Sequence, residues 1–397
     1  METRRASASV VNLNLRHMRL FLAVGDQGSQ HAAGMATGFT QPAISQAIAN
    51  LEQKLGSRLF ERSRQGMQLS AAGQVLHART RRVFEILASM HPWVKSSVSF
   101  DNRLKMQHLV ILMEVDHLRQ YSTAARSLGL SAPTVHRLAR ELALLAVEPP
   151  FRRKGNSIET TATGDQLVAH AGRALAEIYA AFDDLGDMAG ASTGSITLGA
   201  MPLARTDILP DVICDACERD PMASVELVEA DYNTLVEGLR RGSIDVILGA
   251  SRGADVGSDL VERIIFTDEL SAFARRGHPL EGRRDITRED LARFPWIAPH
   301  TGSPTRTAFE RLFDGEVPRF GLITSSSLVV VRALLARSDR LTLLSRRRAL
   351  YEEDQGLLVP LSYPLPQTQR SICITTRRDW RPTRFQSSFV QRLLNCK

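Results

Sequence analysis

The stretch Phe39-Thr40-Gln41-Pro42-Ala43-Ile44-Ser45-Gln46-Ala47-Ile48-Ala49-Asn50-Leu51-Glu52 decides how the chain is organised. Ile44, Ile48 and Leu51 stand at i, i+4 and i+7, so they line one face of a helix. Thr40 occupies the N-cap position. Pro42 falls in the first turn, where its missing N–H costs nothing. The other face carries Gln41, Ser45, Gln46 and Asn50. These short polar side chains donate and accept, which suits the reading of base edges in a major groove. A row of lysines would only grip phosphate. Taken alone, such a helix is most often a plain amphipathic surface helix, and its neighbours decide otherwise.

The chain has 397 residues, enough for two or three domains. No apolar run approaches the roughly 18 residues of a membrane span. Met1 to Leu20 lacks the continuous apolar core of a secretory signal. Four cysteines in this length give no disulfide framework, so a reducing cytoplasm is the expected location. The net charge of +7 is unevenly placed. Residues 1–100 hold 12 Lys+Arg against 5 Asp+Glu, and residues 101–190 hold 10 against 11. The last 207 residues hold 28 against 27, so the whole excess lies with the opening helix. That is the footprint of a polyanion-binding module on a neutral body.

Working outward, residues 1–12 have no periodicity and read as a disordered tail. Leu15, Met18, Phe21 and Leu22 form an apolar helical stripe. Gln30 to Thr37 reads as a short second helix with the small pair Ala33-Gly34. Gly38 then breaks the chain before the helix quoted above. This is the helix-turn-helix plan. Leu59-Phe60 and Met67…Leu69 read as two strands of a wing whose turn carries Arg62 and Arg64. Ser70-Ala71-Ala72-Gly73 opens a long helix to about Met90.

Phe21-Leu22-Ala23-Val24, Thr40-Gln41-Pro42-Ala43-Ile44-Ser45, Leu51-Glu52, Leu59-Phe60-Glu61-Arg62 and Ser70-Ala71-Ala72-Gly73 resemble the DNA-binding domain of LysR-type transcriptional regulators. The resemblance implies DNA contacts from Thr40, Gln41, Pro42, Ala43, Ser45, Gln46, Arg62 and Arg64. It also implies that the long helix is a linker that pairs two chains. Thr37 stands where the family usually carries a bulky apolar residue, which leaves the second helix to pack loosely.

The pattern returns 91 residues later. Thr40 aligns with Ser131, Leu51 with Leu142, Phe60 with Phe151 and Gly73 with Gly164. In the second copy Ala132 replaces Gln41 and His136 replaces Ser45. Its DNA-contact candidates are Thr134, His136, Arg137, Arg152, Arg153 and Lys154. Two readings stand: a second DNA-reading head, or a decayed copy kept as spacer or dimerisation element. His91 to Asn102 interrupts the helical pattern between the copies, and Trp93 is expected to pack on a helix.

From Gly190 strands alternate with helices, which implies parallel β-α-β units and an open sheet. Ligands in such sheets sit beyond the carboxyl ends of strands. Gly199-Ala200-Met201-Pro202, Gly242-Ser243-Ile244-Asp245, His278-Pro279-Leu280 and Gly302-Ser303-Pro304…Arg306 resemble the family's effector-binding domain, which is similar to a periplasmic binding protein. They lean toward the branch of galactose- and protocatechuate-linked regulators. By position, Met201, Leu203, Asp231, Asn233, Ser303, Arg306, Ser325 and Ser326 would face the cleft, with Arg306 a candidate clamp for a carboxylate.

Cys214-x-x-Cys217 falls inside a helix, where one thiol is expected to face the core. No HExxH, G-x-S-x-G or phosphate-binding glycine loop is present, so neither an enzyme, a metal nor a cofactor is expected. The fold class expected is multidomain. It joins all-α winged helix-turn-helix domains in two tandem copies to an α/β periplasmic-binding-protein-like effector domain. The divisions are a tail (1–12), a first head (13–70), a linker (71–102), a second head (103–162), a second linker (163–190) and the effector domain (191–397). The partners expected are promoter DNA, a small-molecule effector (a carboxylate or a sugar), further copies as homodimer or homotetramer, and RNA polymerase as a candidate. The rival reading is a small-molecule binding protein whose N-terminal half only assembles it. The charge asymmetry speaks against that rival.

Overall fold

The computed structural model describes residues 12–63, 66–191, 194–201, 208–366 and 368–395. The first unit begins with α1 (Leu15–Gln27), α2 (Gln30–Thr37) and α3 (Gln41–Leu55). The hairpin β1 (Phe60–Ser63) and β2 (Gly66–Leu69) follows, then the long helix α4 (Ala71–Ala88). Phe21, Val24, Ile44 and Leu51 are buried in one core, as their spacing predicts. Ser70 caps α4, its hydroxyl accepting from the Gly73 N–H at 3.0 Å. Thr40 holds the N-cap position of α3 in extended backbone, but its hydroxyl makes no capping bond. Thr37 donates to the Ala33 carbonyl at 2.7 Å, and Ala33 is the buried residue of α2.

A 3₁₀ turn at His91–Trp93 and a short helix α5 (Ser97–Arg103) occupy the connection, so the interruption expected there is itself partly helical. Next come α6 (Met106–Leu118), α7 (Tyr121–Ser127), α8 (Ala132–Leu145), β3 (Phe151–Lys154), β4 (Ser157–Thr160) and α9 (Ala162–Met188). Their order is that of α1 to α4, and the backbone bonds recur at the 91-residue offset. Ser70 N to Leu59 O returns as Thr161 N to Pro150 O, and Met67 N to Gly28 O as Ile158 N to Arg119 O. The glycines recur for one steric reason. A Cβ on Gly73 would stand 2.0 Å from the Leu59 carbonyl oxygen, and one on Gly164 2.0 Å from that of Pro150. Left-handed Gly28 (φ 65°) is matched by Arg119 (φ 56°).

Helices α4 and α9 lie against each other antiparallel. Arg79 meets Glu177 and Asp184, while Trp93, beyond the end of α4, lies 5.2 Å from the His170 ring. Trp93 thus packs on a helix, as expected. One apolar core runs through both units and includes Val83, Ile86, Ala174 and Ile178.

The remaining elements are β5 (Ser195–Ala200), α10 (Ile208–Arg219), β6 (Ser224–Val228), α11 (Tyr232–Arg240), β7 (Val246–Ala250), β8 (Leu260–Asp268), β9 (Leu270–Arg275), α12 (Arg288–Ala292), β10 (Trp296–Ala298), α13 (Pro304–Leu312), β11 (Ile323–Thr324), α14 (Leu328–Leu335), β12 (Leu341–Ser345), α15 (Leu350–Asp354), β13 (Leu358–Pro360), β14 (Arg370–Arg377) and α16 (Arg384–Asn395). They build two lobes. One sheet has the order β6-β5-β7-β14-β8 and the other β11-β10-β12-β9-β13. Strands β5, β6 and β7 pair in parallel, as do β10, β11 and β12, in line with the alternation of strands and helices. The sheets are not wholly parallel, however. β14 runs antiparallel to β7 and β8, and β9 antiparallel to β12 and β13. The chain crosses between lobes twice, from β8 to β9 and from β13 to β14. Cys214 and Cys217 are both exposed, because Leu209, Val212 and Ala216 take the buried stripe of α10.

The close approach at residue 73 yields a prediction. Gly73→Ala should destabilise the chain by roughly 1–3 kcal/mol in denaturant melts, because the methyl group meets backbone that cannot swing away. Gly164→Ala should cost about the same.

Candidate DNA-reading and effector sites

On α3 the predicted division of faces is present. Ile44, Ala47, Ile48 and Leu51 point into the core, while Gln41, Pro42, Ala43, Ser45 and Gln46 are exposed, as is Thr40. The Gln46 amide donates to Asn50 Oδ1 at 3.1 Å. Gln41 and Ser45 flank the N-terminus of α3, where the unengaged Thr40 hydroxyl adds another donor and acceptor. Arg62 is carried by β1 opposite Met67. Arg64 lies outside the described residues.

The corresponding positions of the second unit are engaged internally. Thr134 and Ser131 share a hydroxyl contact of 2.8 Å, and the His136 ring packs 4.7 Å from that of Tyr121. Arg137 pairs with Glu141, which Lys105 and His108 also approach at 3.0 Å each. Burial resists the ionised form of Glu141, yet these donors bring its carboxyl down to about 2. Arg152 and Lys154 lie 3.7 Å and 2.9 Å from Glu159. Lys154 above all holds that carboxyl below the usual range. Arg153 donates to the Gly155 carbonyl at 3.1 Å.

Between the two lobes opens a cleft of about 800 Å³, a size that fits a small molecule. Met201, Asp231, Asn233, Ser303, Ser325 and Ser326 are among the residues that line it. Two of these also cap helices. Asp231 accepts from the Thr234 hydroxyl at 2.6 Å and backbone N–H at 3.1 Å, and these bonds keep its carboxyl below the ordinary range. Ser303 accepts from the Arg306 N–H at 3.1 Å. The cap of α14 is Ser327, which leaves Ser325 and Ser326 on the wall. Leu203 lies outside the described residues.

Arg306 corrects the expectation. It does not line the cleft. Its Nε donates to Glu310 one turn along α13 at 2.7 Å, and its guanidinium lies 5.6 Å from the Phe309 ring. A local i,i+4 partner has taken the arginine. Among the described residues, the arginines on the cleft wall are instead Arg252, Arg348 and Arg370. Arg252 lies 4.4 Å over the Tyr232 ring, and Arg348 donates to the Ser326 carbonyl at 2.8 Å. Arg348 follows the carboxyl end of β12, the position where the open-sheet rule directs attention. Arg370 had no local signal. It begins β14 and binds Asp268, at the end of β8, through Nε and Nη2 at 3.0 Å each. The Ser345 hydroxyl reaches the other Asp268 oxygen at 2.6 Å, and Arg370 Nη1 reaches Thr305 at 2.7 Å. The two crossings between lobes are thus tied together at the cleft.

A helix-turn-helix with a hairpin wing, joined to a two-lobed sheet domain with a central cleft, defines a DNA-binding regulator governed by a small molecule. The comparisons with known proteins give its family. Residues 15–74 match the bacterial regulatory helix-turn-helix protein, lysR family, and residues 189–395 match the LysR substrate binding domain. The chain is 32% identical over 367 residues to the HTH-type transcriptional regulator GalR of Pseudomonas putida, covering 92% of each protein. It is 24% identical over 285 residues to PcaQ of Agrobacterium fabrum, covering 71% of this chain and 92% of PcaQ. Both agree with the branch to which the effector-domain phrases point. A full-length OxyR variant from Pseudomonas aeruginosa shares the fold with a TM-score of 0.55 at 18% identity, covering 74% of this chain and 94% of that one. The chain belongs to the LysR family: it is a DNA-binding transcriptional regulator with a C-terminal effector-binding domain. Among the described residues, no helix is long and apolar enough to cross a membrane, and no group of three or more His, Cys, Asp or Glu could hold a metal ion.

The tie between the crossings predicts a large effect. Asp268→Ala removes the buried carboxylate that holds the half-buried Arg370 charge and should destabilise the effector domain by about 1.5–3 kcal/mol. Thermal and denaturant melts of the full chain check this.

Proposed function

We propose that the chain reads a promoter operator through α3, with Gln41, Ser45 and Gln46 nearest the bases. Thr40, Pro42 and Ala43 set the entry of the helix into the major groove, and Arg62 and Arg64 hold the adjoining backbone. The observation that carries this is the exposed, hydrogen-bonding face of α3 in the one segment with a large positive excess. The working divisions are a head (13–70), a linker (71–102), a second, divergent winged helix-turn-helix (103–162), its linker (163–190) and the effector domain (191–397). The bonds that recur at the 91-residue offset support the second head, as does length. PcaQ and OxyR are almost fully spanned by under three quarters of this chain. With Ala132 in place of Gln41 and the His136 ring packed on Tyr121, this second head adds little sequence discrimination.

A small molecule in the cleft contacts Met201, Asp231, Asn233, Ser303, Ser325 and Ser326. Arg252 and Arg348 stand beside the carboxylates of Glu229, Asp231 and Asp255 on the same wall, a mixed lining that offers donors and acceptors to a carboxylate or a sugar. Its binding shifts the lobes about the Asp268–Arg370 tie. Transcription changes through the geometry of a cytoplasmic homodimer or homotetramer on DNA, in contact with RNA polymerase. Its place in a family of transcriptional regulators speaks for a non-enzymatic role.

Two measurements test the reading. Gln41→Ala should lose about 1–3 kcal/mol of operator discrimination while its salt-dependent binding to random DNA is kept. Unchanged discrimination in titrations against operator and scrambled duplexes removes Gln41 from the bases. For the cleft, a panel of small carboxylates and sugars should raise the melting temperature of the parent chain. Arg348→Ala should weaken the active compound by about 1.5–3 kcal/mol, the worth of a charged hydrogen bond.

A further inference from the structure

The contacts between the two long helices obey a rule that unrelated helices have no reason to follow. Arg79 of α4 pairs with Asp184 of α9 at 2.9 Å, and Trp93 after α4 packs on His170 of α9. At the 91-residue offset His170 is the counterpart of Arg79, and Asp184 that of Trp93. So position 79 of the first repeat meets position 93 of the second, and 93 of the first meets 79 of the second. That reciprocity is the mark of an isologous, two-fold interface. It extends to the heads. Leu51 and Leu55 of the first unit share a small cavity with Ile178, Ala181 and Phe182 of α9. In return, the end of α8 in the second unit bonds to the chain following α4, Lys95 N to Leu145 O and Val147 N to Trp93 O.

We infer that residues 106–188 serve in cis as the two-fold partner of residues 15–88. One chain therefore carries a complete two-armed DNA reader with a single sequence-reading arm. The inference rests on reading the first unit as a DNA head. The apolar face of α4 is filled by α9 of the same chain, so larger assemblies form through other surfaces. The arms differ in chemistry. The first exposes Gln41, Ser45 and Gln46, whereas the second has Ala132 for Gln41, His136 against Tyr121, Arg137 on Glu141, and Arg152 and Lys154 beside Glu159. A two-fold reader matches a palindrome. A two-fold frame with one reading arm takes a site with one specified half beside duplex of any sequence.

Spin labels test the pairing in the full chain. The four cysteines are changed to serine, and Glu85→Cys and Gln166→Cys place labels on exposed positions of α4 and α9. Pulsed dipolar spectra should show one short distance. It should persist undiminished when the labelled chain is co-expressed with an excess of cysteine-free chain. Loss of the dipolar signal in proportion to dilution would mean pairing between chains and overturns the inference, as does the absence of a short distance. A base-by-base scan of the bound duplex tests the arms. Substitutions in one half should weaken binding about 10-fold or more, and those in the other half less than 2-fold. Equal sensitivity of both halves overturns the single reading arm. Failure of the parent chain to bind DNA would reject the head assignment and leave the spin-label result standing.

Discussion

One guanidinium touches all three parts of the chain. Arg79 projects from α4, binds Glu177 and Asp184 on α9, and donates to the Arg381 carbonyl of the effector domain at 2.8 Å. Burial opposes the charge, yet Glu177 and Asp184 raise its pKa above the ordinary arginine value. A buried ion is tolerated only when its partners are fixed. The position of the first head therefore depends on where α9 and the loop before α16 lie. Neighbouring pairs extend the same seam. Arg82 and Arg173 share Asp379, and Arg241 at the end of α11 binds Asp116 of α6 and Asp165 of α9. The first lobe is thus pinned to the helical frame.

The second lobe has a different mechanical status. It joins the first through two crossings held by Asp268 and Arg370, and the cleft opens beside that tie. An occupant of the cleft that draws the lobes together moves the second lobe against a frame whose first lobe is fixed. Arg370 touches both halves of the machinery: it bonds the crossing strand and, through Thr305, the first turn of α13. One charged group therefore belongs both to the crossing and to the cleft wall.

What could be read from the sequence follows from the range of the interactions. The α3 stripe, the helix start at Ser70 and the alignment of Gly73 with Gly164 are local features of period or spacing, and each was legible; the second long helix, read from 163, is capped two residues earlier by Thr161. Strand β14 was not legible. It pairs with β8 across some hundred intervening residues, so no window of sequence carries that ladder. Arg370 acquires its role only because that pairing sets it beside Asp268. Arg306 shows the opposite case. Its partner Glu310 was in view four residues away, and the local pair prevailed over the cleft. For Cys214 and Cys217, the phase set by Leu209, Val212 and Ala216 turns both thiols outward.

Residues 15–88 and 106–188 share backbone and steric features and differ in the chemistry of their outer faces. The features that recur are steric and backbone features: left-handed residues at 28 and 119, tight glycines at 73 and 164, and hydroxyl caps at 70 and 161. Those set where helices cross. The features that diverge lie on the outer faces, where packing places few demands. In the first unit polar groups on that face stay exposed. In the second, Arg137 lies on Glu141, and Arg152 and Lys154 lie beside Glu159. Helix α9 fills the apolar face of α4, so positions on that seam are fixed by packing, while the outer faces carry no such constraint.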